Sequence, residues 1–173
     1  MSHSEARQQI IATIPSLRRY ARALVGMSSV QRADDLVQDT LERALSRLHL
    51  WRGEGDMRTW VFAIMHNLNA NVVRRLNRGP TFVPLPNEEL PAQSTAPPDI
   101  AIELRELDAA LQRLPQKQRE VLILVTVEEL SYREVANVLG IPIGTVMSRL
   151  ARARDQLRHL LRRDQRAHLQ RVK

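Results

Sequence analysis

The chain of 173 residues contains no cysteine. That excludes a disulfide framework and any thiolate-held metal, and it fits a reducing cytoplasm. Aromatic residues make up only 3%, so a base-stacking platform for single strands would have to be sparse. No apolar run approaches the length that spans a bilayer, and the opening MSHSEARQQIIATIP carries no signal-peptide core. The five histidines, His3, His49, His66, His159 and His168, are scattered, with no second ligand at metal spacing. Gly53-Glu54-Gly55 lacks the glycine and lysine that complete a phosphate loop. Asp34 and Asp35 are adjacent, so on a helix they point in different directions and make no catalytic pair. The expectation is a protein that is not an enzyme and carries no metal or cofactor.

What the chain does have is positive charge. Lys+Arg number 26 against 19 Asp+Glu, for a net +7. From Arg149 to Lys173 the basic residues are opposed only by Asp155 and Asp164. A basic end favours a polyanionic partner, although such tails are often only solvated surface. Within it, Ser131–Leu161 reads as two helices around a tight turn: Tyr132–Leu139, Gly140 as the turn, and a longer helix from about Ile143. Val135, Ala136, Leu139, Ile141, Val146 and Leu150 have the spacing of a packed pair, and Val146, Leu150, Ala153 and Leu157 form one buried stripe. Thr145, Ser148, Arg149 and Arg152 fall on the opposite face. This is the form of a helix-turn-helix reader of the major groove, and equally that of a helical hairpin with a solvated charged face.

The rest of the chain is also helical in pattern. A helix over Ser4–Val25 carries the stripe Ile10, Ile11, Ile14, Leu17, Tyr20, Ala21 and Leu24, with Pro15 either kinking it or starting a new turn. Ser28 and Gln31 stand at capping-box spacing before a helix running to about Leu50, with Leu36, Val37, Leu41, Ala44, Leu45 and Leu48 inward. Its outward side bears Asp34, Asp35, Gln38, Asp39 and Glu42, which either answer the helix dipole or dock a basic partner. Asp56 is placed to cap a helix over about Met57–Asn77 whose apolar stripe is Met57, Trp60, Val61, Ile64, Met65, Leu68 and Val72. That helix holds Asn67, Asn69 and Asn71 within five residues, beside Arg74 and Arg75. Asparagine is a mediocre helix former, and amides with arginines suit base edges and phosphates. Residues 79–98 contain six of the nine prolines and no helical period, which predicts an extended linker. Beyond it Asp99 is placed to cap a helix with the stripe Ile100, Leu104, Leu107, Leu111 and Leu114, and Pro115 opens another, QKQREVLILVTVEE. The fold class expected is all-α: two small helical domains, 1–78 and 99–173, joined by a proline-rich linker at 79–98, the second ending in a helix-turn-helix.

Three blocks, DDLVQDTLERAL at Asp34–Leu45, RTWVFAIMHNLNANVVRR at Arg58–Arg75 and LPQKQREVLILVTVEELSYREVANVLGIPIGTVMSRLARAR at Leu114–Arg154, resemble the bacterial extracytoplasmic-function sigma factors, the small two-domain members of the sigma-70 family. The resemblance covers nearly all of the chain except its ends and the linker. It implies a transcription initiation factor that binds core RNA polymerase and promoter DNA. The first domain would engage the polymerase through Asp35, Leu36, Gln38 and Asp39. It would also take the minus-10 element through Asn67, which captures an unstacked base, with Asn71 beside it and Arg74 and Arg75 on phosphates. The second would read the minus-35 element through Ser148, Arg149 and Arg152, with Thr145 on a phosphate. Met147 stands where the family often has a basic residue, so one guanine contact is replaced or lost there. The family also implies an anti-sigma partner, a cytoplasmic location and no membrane insertion. The alternative is a stand-alone helix-turn-helix regulator, which calls for a dimer and a palindromic site.

Overall fold

Pro15 divides what the apolar spacing reads as a single helix. In the computed structural model, which describes residues 3–51, 53, 55–78 and 97–171, α1 covers His3–Ala12 and α2 covers Ile14–Val25. Thr13 lies at the break, and its hydroxyl donates to the Ile10 carbonyl at 2.6 Å. Proline lacks the N–H that a helix interior needs and is accommodated in the first turn of a new helix. The break resets the register, so Ile11, expected in the stripe, is 60% exposed, while Leu17, Tyr20, Ala21 and Leu24 are buried.

After Gly26, whose φ of +95° favours glycine, α3 spans Val30–Ser46 and a 3-10 turn follows at Leu48–Leu50. The expected Ser28–Gln31 capping box is absent: Ser29 is the N-cap, without a side-chain bond, and Gln31 instead donates to Asp35. The α-helix also stops four residues short of Leu50, and Leu45 is exposed. Helix α4 is Met57–Arg78. Asp56 caps it as expected, accepting from the Arg58 amide at 3.2 Å. Its core face is Met57, Val61, Phe62, Ile64 and Met65; Phe62 was not expected there, and Val72 is exposed. Phe62 meets Tyr20 edge to face, with centroids 5.2 Å apart.

Of the expected linker only Pro97 and Pro98 are described, and Pro98 already begins α5, Pro98–Gln112. Asp99 therefore lies within the first turn, not at its cap; a proline pre-set at φ near −65° opens the helix instead. The apolar stripe proposed for α5 meets the core only at its far end, where Leu114 is buried and Leu111 packs partly buried, while Ile100, Leu104 and Leu107 are exposed. Helices α6 (Gln116–Thr126), α7 (Tyr132–Leu139) and α8 (Ile143–Arg171) complete the chain. Gly140 adopts φ 62°, ψ 39° at the end of α7, the left-handed turn expected of it. Ser131 and Glu134 form a reciprocal capping box at the start of α7, through Glu134 N to Ser131 Oγ (3.3 Å) and Ser131 N to Glu134 Oε2 (2.7 Å). The S-x-x-E signal for it was present in the sequence. Among the described residues there are eight α-helices and no strand.

The two helical groups share one continuous core. Helix α3 packs on α2 and α4, and α5, α6 and α7 pack on α8; between groups, α4 lies on α7 and α2 on α6 and α5. The contact between groups is unusually polar. Glu128, buried, accepts from Arg19 at 3.1 Å and Arg58 at 2.8 Å, and its carbonyl accepts a further bond from Arg58. Glu120, also buried, faces His66 Nδ1 at 3.4 Å and accepts from Asn69 at 3.5 Å and from Gln116 of its own helix. The Tyr20 hydroxyl is buried nearby without a hydrogen-bond partner. Burial, then the Glu120 and Glu128 carboxylates, hold its phenol well above the ordinary tyrosine range.

Two measurements follow. Asn69→Ala removes a buried partner of Glu120 and should cost about 1–3 kcal/mol in denaturant unfolding, whereas the exposed Asn67→Ala should stay within about 0.5 kcal/mol of wild type. Ser131→Ala should cost about 1 kcal/mol by loss of the cap. The side-chain hydrogen bond with Ser131, then the backbone one, lower the Glu134 pKa. The stabilisation from this depressed carboxylate is therefore present above the unfolded-state pKa and disappears as pH falls through the folded value. That acid-side loss should be smaller in Ser131→Ala.

Candidate nucleic-acid and polymerase surfaces

Along α3, a 3.6-residue repeat sends Leu36, Val37, Thr40 and Ala44 inward. Asp35, Gln38 and Asp39 stand exposed on the other side. Leu36 is separated from these three. At 7% exposure it seats the helix against the core and has little surface to offer a partner. Glu42, exposed one turn on, extends the acidic row and holds Gln38 at 3.2 Å.

Helix α4 divides its asparagines between two faces. Asn67, Asn71, Arg74 and Arg75 are all exposed, and at 100° per residue they lie within one side of the helix. Their side chains lie back on the helix itself. Asn67 Nδ2 donates to the Ala63 carbonyl at 2.9 Å, and Arg74 donates to the Ala70 carbonyl at 3.2 Å and to Asn71 Oδ1 at 3.0 Å. These are local bonds that an incoming nucleic acid can replace one for one. Asn69 points the other way and belongs to the contact with the second group. The three asparagines read as one cluster in the sequence therefore do two different jobs.

On α8 the inward stripe is Val146, Leu150 and Ala153, all buried, with Leu157 packed against the core. Met147, Ser148 and Arg152 are exposed and share a side with Ala151, which the sequence reading passed over. Ala151 is one turn on from Met147 and three residues on from Ser148, the spacing that would have found it. Thr145 and Arg149 are half-buried at the edge of that side, and the Thr145 carbonyl accepts from Ser148 Oγ at 3.1 Å. Met147, 51% exposed, thus puts an apolar thioether on the outward side of the helix. Such a group suits a thymine methyl and makes no bidentate bond to guanine. Among the described residues, Arg149 and Arg152 are committed to no ion pair. Alpha7 props α8 from behind, fixed by the Ser131–Glu134 box at one end and the Gly140 turn at the other.

Among the described residues no His/Cys/Asp/Glu group is disposed to hold a metal ion, and no helix is long and apolar enough to cross a membrane. The geometry is that of three separate protein surfaces: an acidic helix, an amide-and-arginine helix and a helix-turn-helix.

The comparisons with known proteins agree with that geometry. Residues 10–66 match the model described as the Sigma2 domain of PhyR, and residues 104–157 match Sigma-70, region 4. The chain is 38% identical over 161 residues to the ECF RNA polymerase sigma factor EcfG of Rhodopseudomonas palustris, covering 90% of this chain and 84% of that one. Its fold is similar to the sigma factor RpoE solved with the anti-sigma factor NepR from Bartonella quintana, with TM-score 0.72, 31% identity and coverage of 90% and 95%. It is also similar to CnrH, solved with the cytosolic domain of CnrY, with TM-score 0.69, 26% identity and coverage of 94% and 91%. With both of its helical groups matched in order, and a relative this similar over most of its length, the chain belongs to the ECF sigma factors of the sigma-70 family.

Proposed function

We propose that this sigma factor works by divided labour: it docks on core RNA polymerase through α3 and reads a promoter through α4 and α8. The observation that supports this best is that the three surfaces do not overlap. Asp35, Gln38 and Asp39 would meet a basic element of the polymerase, with Leu36 fixing the helix beneath them. Asn67 and Asn71 would hold an unstacked minus-10 base, since unstacking at a site that must melt costs a few kcal/mol at most per base. Arg74 and Arg75 would hold flanking phosphates. Met147, Ser148, Ala151 and Arg152 would face the minus-35 base edges, with Arg149 and Thr145 at the rim. The protein supplies specificity and no chemistry of its own, so it is not an enzyme. It works in the cytoplasm, and, as for the two relatives solved with such partners, an anti-sigma factor would control it.

The match of residues 10–66 to the Sigma2 domain of PhyR favours a second reading, a sigma mimic that occupies a regulator without driving transcription. The exposed arginine-bearing side of α8 argues against it, because a decoy has no need to read DNA.

Run-off transcription with core polymerase over a genomic promoter library separates the two. Specific transcripts should appear only when the protein is added; the same transcripts from core alone, or none with the protein, would overturn the reading. Alanine at both Arg149 and Arg152 should abolish promoter-specific transcription while a pull-down still recovers core polymerase.

A further inference from the structure

Helix α8 runs on to Arg171, well past Ala153, its last fully buried residue among those described. It also runs past residue 157, where the match to region 4 ends. The continuation is anchored: Leu157 and Leu160 pack against the core, and α5 and α6 both lie on α8. An anchored helix presents its outward side in a fixed direction. On that side stand Arg158 and Arg162, both exposed. At 100° per residue they fall within about 20° of Ala151, two and three turns further on. They therefore continue the line of Met147, Ser148, Ala151 and Arg152 along the same side of the helix.

Arginines on a solvated helix are ordinarily answered by acidic residues one turn away. Between Met147 and Arg163 there are six arginines and a single acid, Asp155. Its carboxylate reaches Arg158 at 3.8 Å and His159 at 4.0 Å, and all three side chains are largely exposed. Such exposed pairs hold weakly against water and salt. Arg162 and Arg163 are in no ion pair among the described residues. The lengths decide what this excess charge can touch. Arg158 and Arg162 lie about 15 Å and 21 Å beyond Ser148 along the helix axis. The major groove is only about 12 Å wide and 8.5 Å deep, and a recognition helix sets its first turns on the floor. A rod does not follow the winding of the groove, so its later turns leave the floor and pass a wall. That wall is phosphate, which a guanidinium matches in charge and in paired hydrogen bonds.

We propose that α8 beyond residue 157 is a further part of the DNA surface, in which Arg158 and Arg162 grip phosphates flanking the minus-35 element and read no base. The inference rests on the promoter-reading function above and adds to it a grip that is independent of sequence. One helix then divides two tasks along its length. Its first turns discriminate between bases, with Met147 making no guanine contact there, and its later turns hold the helix in register on the backbone. Each neutralised phosphate also releases condensed counterions, which lowers the slope of log K against log salt by about 0.9. Binding to an acidic protein surface leaves no such mark that follows the DNA backbone.

The test uses holoenzyme assembled from core polymerase and the full chain, bound to a promoter fragment from the library above at about 50 to 200 mM salt. The double variant Arg158→Gln, Arg162→Gln removes both charges and keeps good helix formers at exposed positions. It should make the salt slope shallower by about 1.8, so that the wild-type advantage shrinks about 12-fold over that salt range. The loss should be the same on a fragment with one minus-35 base pair changed. Neutral methylphosphonates in place of the phosphates flanking the minus-35 element should erase the difference between wild type and variant. An unchanged slope would overturn the proposal. A deficit that persists on the methylphosphonate fragment would assign the row to an acidic protein surface and overturn it as well. So would an equal change of slope in Arg105→Gln, an exposed arginine on α5, because net charge alone would then account for the effect. If wild-type holoenzyme shows no preference for the promoter fragment over unrelated DNA, the promoter-reading function fails and this inference with it. A clear preference with an unchanged slope sinks this inference alone.

Discussion

Glu128 has a negligible exposed surface, and two arginines from 109 and 70 residues earlier in sequence converge on it. An ion taken so far out of water is tolerated only if its partners are in place, and removing one partner of such a pair is far more damaging than replacing the pair outright. The remaining geometry follows from this demand. Arg58 is at the right height because Asp56 caps α4 two residues before it. Its guanidinium also lies 5.4 Å from the centre of the Phe62 ring, which in turn meets Tyr20. Arg19 is on α2 because Pro15 restarts the helix with a new register. The polar contact between groups and the apolar core of the first group are therefore built on the same side chains.

A buried ion pair is weak evidence for stability but better evidence for a defined arrangement. Apolar surfaces slide and repack with small penalties; a carboxylate with two donors has one acceptable position. The second group is thus held in one orientation on the first, with α7 on α4 and α6 on α2, and the Glu120 contacts with His66 and Asn69 add to it. The same orientation leaves both α3 and the exposed side of α8 open to solvent.

Much of this was legible from the residues. The helix-turn-helix appeared with its boundaries, because Gly140, the Val146–Leu150–Ala153 spacing and the polar side agree at every level. The acidic row of α3 and the Asp56 cap were equally local signals. Periodicity already puts Leu36 inward and Asp35 outward, and it was the resemblance that grouped Leu36 with the exposed Asp35, Gln38 and Asp39 as one docking set. The other misses share a cause: they depend on what lies across the core. Asn67 and Asn69 differ by two positions, yet one is exposed and the other meets Glu120 from a helix some fifty residues away. The exposed Ile100, Leu104 and Leu107 show the converse, an apolar stripe that the tertiary arrangement leaves uncovered. Glu120 and Glu128 could not be singled out at all, since a glutamate in or just after a helix reads as solvated until the partners across the core are known.

The separation of Glu128 from Arg19, 109 residues, also has a meaning in time. A chain made at 5–20 residues per second presents Arg19 roughly 5 to 20 seconds before its carboxylate exists. Throughout that interval the first group has its own apolar stripes to bury but no anion for its guanidinium groups. The nascent chain therefore passes through a stage in which Arg19 and Arg58 are without their anion, which arrives only after α6 has been made.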